Sequence, residues 1–132
     1  MKSGLGVGTT PAALIAHGID TTIVEIDPVV YDFATKYFDL PANHTAVIAD
    51  AVTYASASVE LGYKFDYIVH DVFTGGAEPI SLFTFEFLND LRSLLKPNGV
   101  IAIVRQIPSL PAPSLPNEPR IMLAILSYLL HV

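Results

Sequence analysis

Apolar and polar positions alternate along this chain in two different rhythms. "TTIVEID" (21–27), "HTAVIAD" (44–50), "FDYIVHD" (65–71) and "VIAIV" (100–104) are short, β-branched, nearly continuous apolar runs, the pattern of strands buried on both faces. Between them lie stretches with apolar residues at three- and four-residue steps. These predict a first helix from Pro11 to about His17, a second from Pro28 to about Phe38, a weaker one after Asp50, and an amphipathic helix within "LFTFEFLNDLRSLL" (82–95). Thr10-Pro11 and Asp27-Pro28 are helix-start signals, since the polar side chain can cap free N–H groups and proline is tolerated at the first helical position. Gly18 and "KPNG" (96–99) mark stops. Strands alternating with helices at this spacing predict βαβ units and an open parallel sheet covered on both faces.

The rhythm is lost after Val104. Five of the ten prolines lie between Pro108 and Pro119, so residues 105–120 read as an extended linker. Residues 121–132, apolar on nearly every face, read as a C-terminal helix that needs a partner surface. Residues 1–104 then form the one principal domain, consistent with a chain of 132 residues. At its start, only Met1, Lys2 and Ser3 precede the glycine-rich loop "GLGVG" (4–8). A loop of this kind follows a central strand, so the sheet is expected to be truncated before its first strand and after the fourth visible one. An exposed sheet edge of that kind favours self-association into a homo-oligomer.

Composition narrows the chemistry. Charged residues are 15% of the chain against about 25% in an ordinary soluble protein, and the net charge is −6 with dispersed basic residues. No basic footprint for nucleic acid is present. The absence of cysteine excludes thiolate nucleophiles and sulfur-ligated metals, and no pair of histidines has metal-site spacing, so no metal is expected. No signal peptide is readable, and no apolar run is long enough to span a bilayer of about 30 Å, which together predict a cytoplasmic protein.

In an open parallel sheet the ligand site lies beyond the carboxyl ends of the strands. Gly4, Gly6 and Gly8 stand there, where absent side chains let a ligand approach the backbone and a helix N-terminus. Glu25, 21 residues after Gly4, ends the next strand, where an acid can accept from ribose hydroxyls; Asp50 and Asp71 end the two that follow. Asp27 reads as a helix cap. His70, adjacent to Asp71 on a strand, points to the opposite face and reads as structural. The dinucleotide fingerprint G-x-G-x-x-G fails at Thr9.

The G-x-G-x-G loop, the acid of "VEID", that of "IADA" and that of "YIVHD" together resemble the class I S-adenosylmethionine-dependent methyltransferases, and within them the spermidine synthase-like branch, over residues 4 to 104. The resemblance is most specific at "IVEIDPVV" from Ile23, "ADA" from Ala49, and "FDYIVHDVFTGG" with "LFTFEFLNDLRSLLKPNGVIAI". It implies a Rossmann-like sheet with S-adenosylmethionine, or its decarboxylated form, as co-substrate. Glu25 would hold the ribose, Ile26 would pack on the adenine, Asp50 and the backbone of Ala51 would meet the exocyclic amine, and Asp71 would be the catalytic acid near the reacting sulfonium. Tyr54, His70, Phe73 and Glu78 are candidate rim residues. Two positions depart from the aminopropyltransferase pattern: Val7 stands where an acid would grip the donor's amine, and Thr74 where a second acid would hold a polyamine. The expectation is a transferase moving a methyl group, in preference to an aminopropyl group, to a small-molecule acceptor, an amine. The alternative is a noncatalytic truncated relative serving as an interaction module.

Overall fold

A computed structural model describes residues 1–72, 79–104 and 121–122. Among these residues six strands form one sheet: β1 (Lys2–Ser3), β2 (Thr22–Glu25), β3 (Thr45–Ile48), β4 (Phe65–Asp71), β5 (Leu95–Val104) and β6 (Ile121–Met122). Their order is β3-β2-β1-β4-β5-β6 and every pairing is parallel. The strand ahead of the glycine loop is therefore the two-residue β1, in the middle of the sheet. Lys2 and Ser3 pair with Ile23 and Val24 on one side and with Val69 and His70 on the other. Met1 continues the ladder, its carbonyl accepting from the Val69 amide at 3.0 Å.

Among the described residues four helices lie between strands β1 to β5: α1 (Thr9–Ala16), α2 (Pro28–Tyr37), α3 (Ala51–Glu60) and α4 (Phe85–Ser93), with a 3-10 turn at Ile80–Phe83. Asp27 caps α2 as expected, accepting from the Val29 amide at 2.8 Å. Asp50 caps α3 and Thr84 caps α4. Thr10 does not cap: α1 begins two residues earlier than expected, at Thr9, with Gly8 at the N-cap. The chain steps from β1 outward to β2 and β3, then returns across β1 to β4. Right-handed crossovers consequently put α1 and α2 on one face and α3 and α4 on the other.

The cores follow this division, because successive strand residues point to opposite faces. Ile23 packs with Leu5, Ala34 and Leu40 beneath α2. Its neighbour Val24 packs with Ala51, Ala55, Ile68, Phe87, Leu91, Leu94 and Ile101 beneath α3 and α4. No helix among the described residues is long and apolar enough to cross a membrane.

One expectation needs correction. The apolar segment 121–132 was expected to be helical, but Ile121 and Met122 pair with Ile101 and Ala102 as a strand. The outer edge of β5 presents backbone donors and acceptors that a strand satisfies and a helix would leave unpaired. Residues 123–132 and the expected linker 105–120 lie outside the described residues.

Candidate functional site

Sheet order reverses between β1 and β4, and a cavity of about 520 Å³ opens at the carboxyl ends of the strands beside that point. Gly4, Gly6, Glu25, Ile26, Asp50, Ala51 and Asp71 all line it. These residues come from four separate segments of the sequence.

Gly4 lets the loop leave β1 without striking β4. Its φ is +78°, and a Cβ there would stand 2.5 Å from the Asp71 carbonyl oxygen. Gly6 (φ +57°) has open space in front of it. Gly8 departs from expectation: it is buried at the start of α1, where a Cβ would meet Leu40 at 3.2 Å, and it does not line the cavity. Its role is to close the loop onto the helix.

Glu25, at the end of β2, is 8% exposed. Its Oε2 accepts from the Leu5 amide at 2.7 Å and its Oε1 from the Asp27 amide at 3.0 Å. The carboxylate thus ties the glycine loop to the sheet as well as lining the cavity, and each oxygen keeps a further lone pair. Ile26 follows, 67% exposed although large and apolar. Asp50 uses only Oδ2 as a cap, accepting from the Thr53 amide at 3.2 Å and its hydroxyl at 3.0 Å. Oδ1 has no protein partner among the described residues.

Asp71, at the end of β4, is paired with a residue the sequence reading passed over. Lys2 Nζ lies 3.3 Å from Asp71 Oδ2 and donates to the carbonyls of Gly4 at 2.6 Å, Asp71 at 3.2 Å and Ser3 at 3.3 Å. The Lys2 side chain is 1% exposed and that of Asp71 34%. Burial lowers the pKa of Lys2, opposed first by Asp71 and then by Glu25. The available signal was a lysine in a strand flanked on both sides, a place where an ammonium survives only with a partner.

His70 has the structural place expected. It is fully buried, with Nε2 3.2 Å from the Leu82 carbonyl and Nδ1 3.2 Å from Ser3 Oγ. A carbonyl can only accept, so Nε2 carries the proton and Nδ1 accepts from the serine hydroxyl. The ring packs against Phe83 and Phe87. Burial, with Lys2 adding to it, pushes its pKa down to about 4 against the opposing Leu82 carbonyl and Asp71. The histidine thereby fastens the 3-10 turn, whose Ser81 and Leu82 line the cavity, to the central strand. Tyr54, expected at the rim, packs on the core instead. Val7 is half-exposed and off the cavity. Phe73, Thr74 and Glu78 lie outside the described residues. Among the described residues no group of three metal-ligating side chains comes together.

Comparison with known proteins gives a consistent picture. The description "Spermine/spermidine synthase domain" fits residues 6–123. An N-terminal histidine N-methyltransferase of Emericella nidulans is 64% identical over 102 residues, 76% of this chain and 18% of that protein. A polyamine aminopropyltransferase of Vibrio vulnificus is 38% identical over 102 residues, 74% of this chain and 34% of that protein. The chain thus spans about a fifth and a third of the length of these curated relatives. Among solved structures, human methyltransferase-like protein 13 in complex with SAH superposes with a TM-score of 0.69 at 28% identity, over 76% of this chain and 50% of that one.

Proposed function

The chain belongs to the spermine/spermidine synthase family, and from that premise we propose that it is the S-adenosylmethionine-binding part of a cytoplasmic N-methyltransferase whose acceptor is an amine. The observation that carries this reading is the cavity at the sheet's switch point, where Gly4, Gly6, Glu25, Ile26, Asp50 and Asp71 converge. Its residues fit an adenosyl donor. A nucleoside needs acceptors for ribose hydroxyls and an exocyclic amine and an apolar surface for the base; Glu25, Asp50 Oδ1 and the exposed Ile26 supply these three. The donor, when bound, contributes a methyl group on sulfonium.

The protein's part is alignment. In an in-line displacement most of the rate comes from holding nucleophile and carbon in register, so no protein nucleophile is required. Glu25 and Asp50 bind the nucleoside end. Asp71 accepts an N–H of the incoming amine at Oδ1, the oxygen that Lys2 leaves free, and so orients the nitrogen lone pair. The 64% identity to a histidine N-methyltransferase favours a peptide with an N-terminal histidine as the first acceptor to try. Val7 and Thr74 argue against aminopropyl transfer, because a polyamine loses strong hydration on entry and needs carboxylates in compensation. A noncatalytic interaction role gains no support from this geometry.

The deciding assay offers the purified chain two substrate pairs: S-adenosylmethionine with a His-initiated peptide, and decarboxylated S-adenosylmethionine with putrescine. Mass spectrometry is expected to find methylated peptide and no spermidine. Spermidine together with unmodified peptide would reverse the assignment.

A further inference from the structure

Among the described residues three carboxylates line the cavity, and Asp71 alone of them is ion-paired. Glu25 is held by backbone amides and Asp50 by a helix N-terminus and a threonine, neutral donors that leave the negative charge in place. Asp71 is held by Lys2, which cancels it. The ammonium is fixed: it is buried, it reaches three carbonyl oxygens besides the carboxylate, and it hangs from the central strand with neighbours on both sides. Such a group cannot swing away to let a ligand take its place without giving up its bonds to the Ser3, Gly4 and Asp71 carbonyls and its ion pair.

We propose that Lys2 is a specificity-determining residue, which neutralises Asp71 so that the reacting end of the cavity selects ligands by hydrogen bonding and shape and not by positive charge. The inference rests on the reading that this cavity takes an adenosyl donor with Asp71 at its reacting end. An isolated Asp71 would attract any cation, a polyamine included. Paired, it offers one oxygen to an uncharged amine and repays nothing to a dication for its lost hydration. The acceptor class that fits is an amine entering as the free base.

S-adenosylmethionine and S-adenosylhomocysteine are suitable probes, because they differ at the reacting end by a methyl group and a positive charge on sulfur. Both are titrated calorimetrically into the full 132-residue chain and its variants. Lys2→Met leaves Asp71 uncompensated and should shift the preference toward the sulfonium ligand by about tenfold, the size expected for a charge a few ångströms away in a partly wet site. Asp71→Asn leaves Lys2 uncompensated and should shift it about as far the other way. Lys2→Gln, which keeps hydrogen-bond donors for the neighbouring carbonyls and loses the charge, should shift the preference in the same direction as Lys2→Met and carries the test where Lys2→Met fails to fold. If the unaltered chain binds both ligands and none of these substitutions moves their ratio, Lys2 has no such role. If the unaltered chain binds neither, the donor reading fails and the inference with it.

Discussion

The two ends of the cavity solve the same problem differently. At the β2 end, a nearly buried carboxylate is stabilised by two backbone amides, neutral dipoles that hold Glu25 in position and leave its charge intact. At the β4 end, the carboxylate of Asp71 is stabilised by a buried ammonium, which fixes it and removes its charge. Amide donors suit an acid that must accept hydrogen bonds from ribose hydroxyls, because charge-assisted bonds are about twice as strong as neutral ones. A lysine suits an acid that must orient an amine without trapping cations. The source of compensation, more than the presence of an acid, distinguishes the two ends, and on the proposed function it gives them different roles.

The two ends meet at Gly4, whose missing side chain lets the loop pass β4. Gly4→Ala adds a Cβ 2.5 Å from the Asp71 carbonyl oxygen at a left-handed φ, where the obstacle is backbone and cannot rotate aside. A loss of about 3 kcal/mol or more in unfolding free energy is expected by chemical denaturation, together with loss of ligand binding. Gly6→Ala meets open space and should cost only about 1 kcal/mol, so equal losses would show that the loop does not pass β4 as described.

His70 sharpens the β4 end, because it ties the 3-10 turn to Ser3 next to Lys2. Its pKa is depressed in the fold, from 6.5 to about 4, so the neutral ring's contribution is fully present above pH 6.5 and is lost as pH falls toward 4. A depression of this size corresponds to about 3 kcal/mol at full protonation. Unfolding measurements from pH 7 to 4 should therefore show a steeper decline than in His70→Gln, and the His70 ring followed by NMR should remain neutral at pH 5. A ring that titrates near 6.5 would mean that the turn is not docked as described.

Much of this arrangement was legible in the sequence, and the parts that were not share a cause. β2, β3 and β4 were readable because continuous apolar runs have few other uses, and Asp27 because a cap needs only its own helix start. Glu25, Asp50 and Asp71 were placed together because each lies at or just past the carboxyl end of a strand of one parallel sheet. The readings that needed correction depend on contacts across the fold. Gly8 turns toward Leu40, Tyr54 packs half-buried against the core, and Ile121–Met122 pair with β5, all through neighbours distant in sequence. Lys2 escaped notice for the same reason, since its partner lies 69 residues away.

On the proposed function, the β2 end holds an adenosyl nucleoside through the charge of Glu25. Calorimetric titration of S-adenosylhomocysteine into the chain and into Glu25→Gln is the test, because glutamine loses the charge and keeps one acceptor, for the Leu5 amide, while giving up the bond to the Asp27 amide. Saturable binding to the unaltered chain, weakened by about 1.5–3 kcal/mol in the variant, is the predicted result. Equal affinity in the two proteins, or no binding to the unaltered chain, would contradict it.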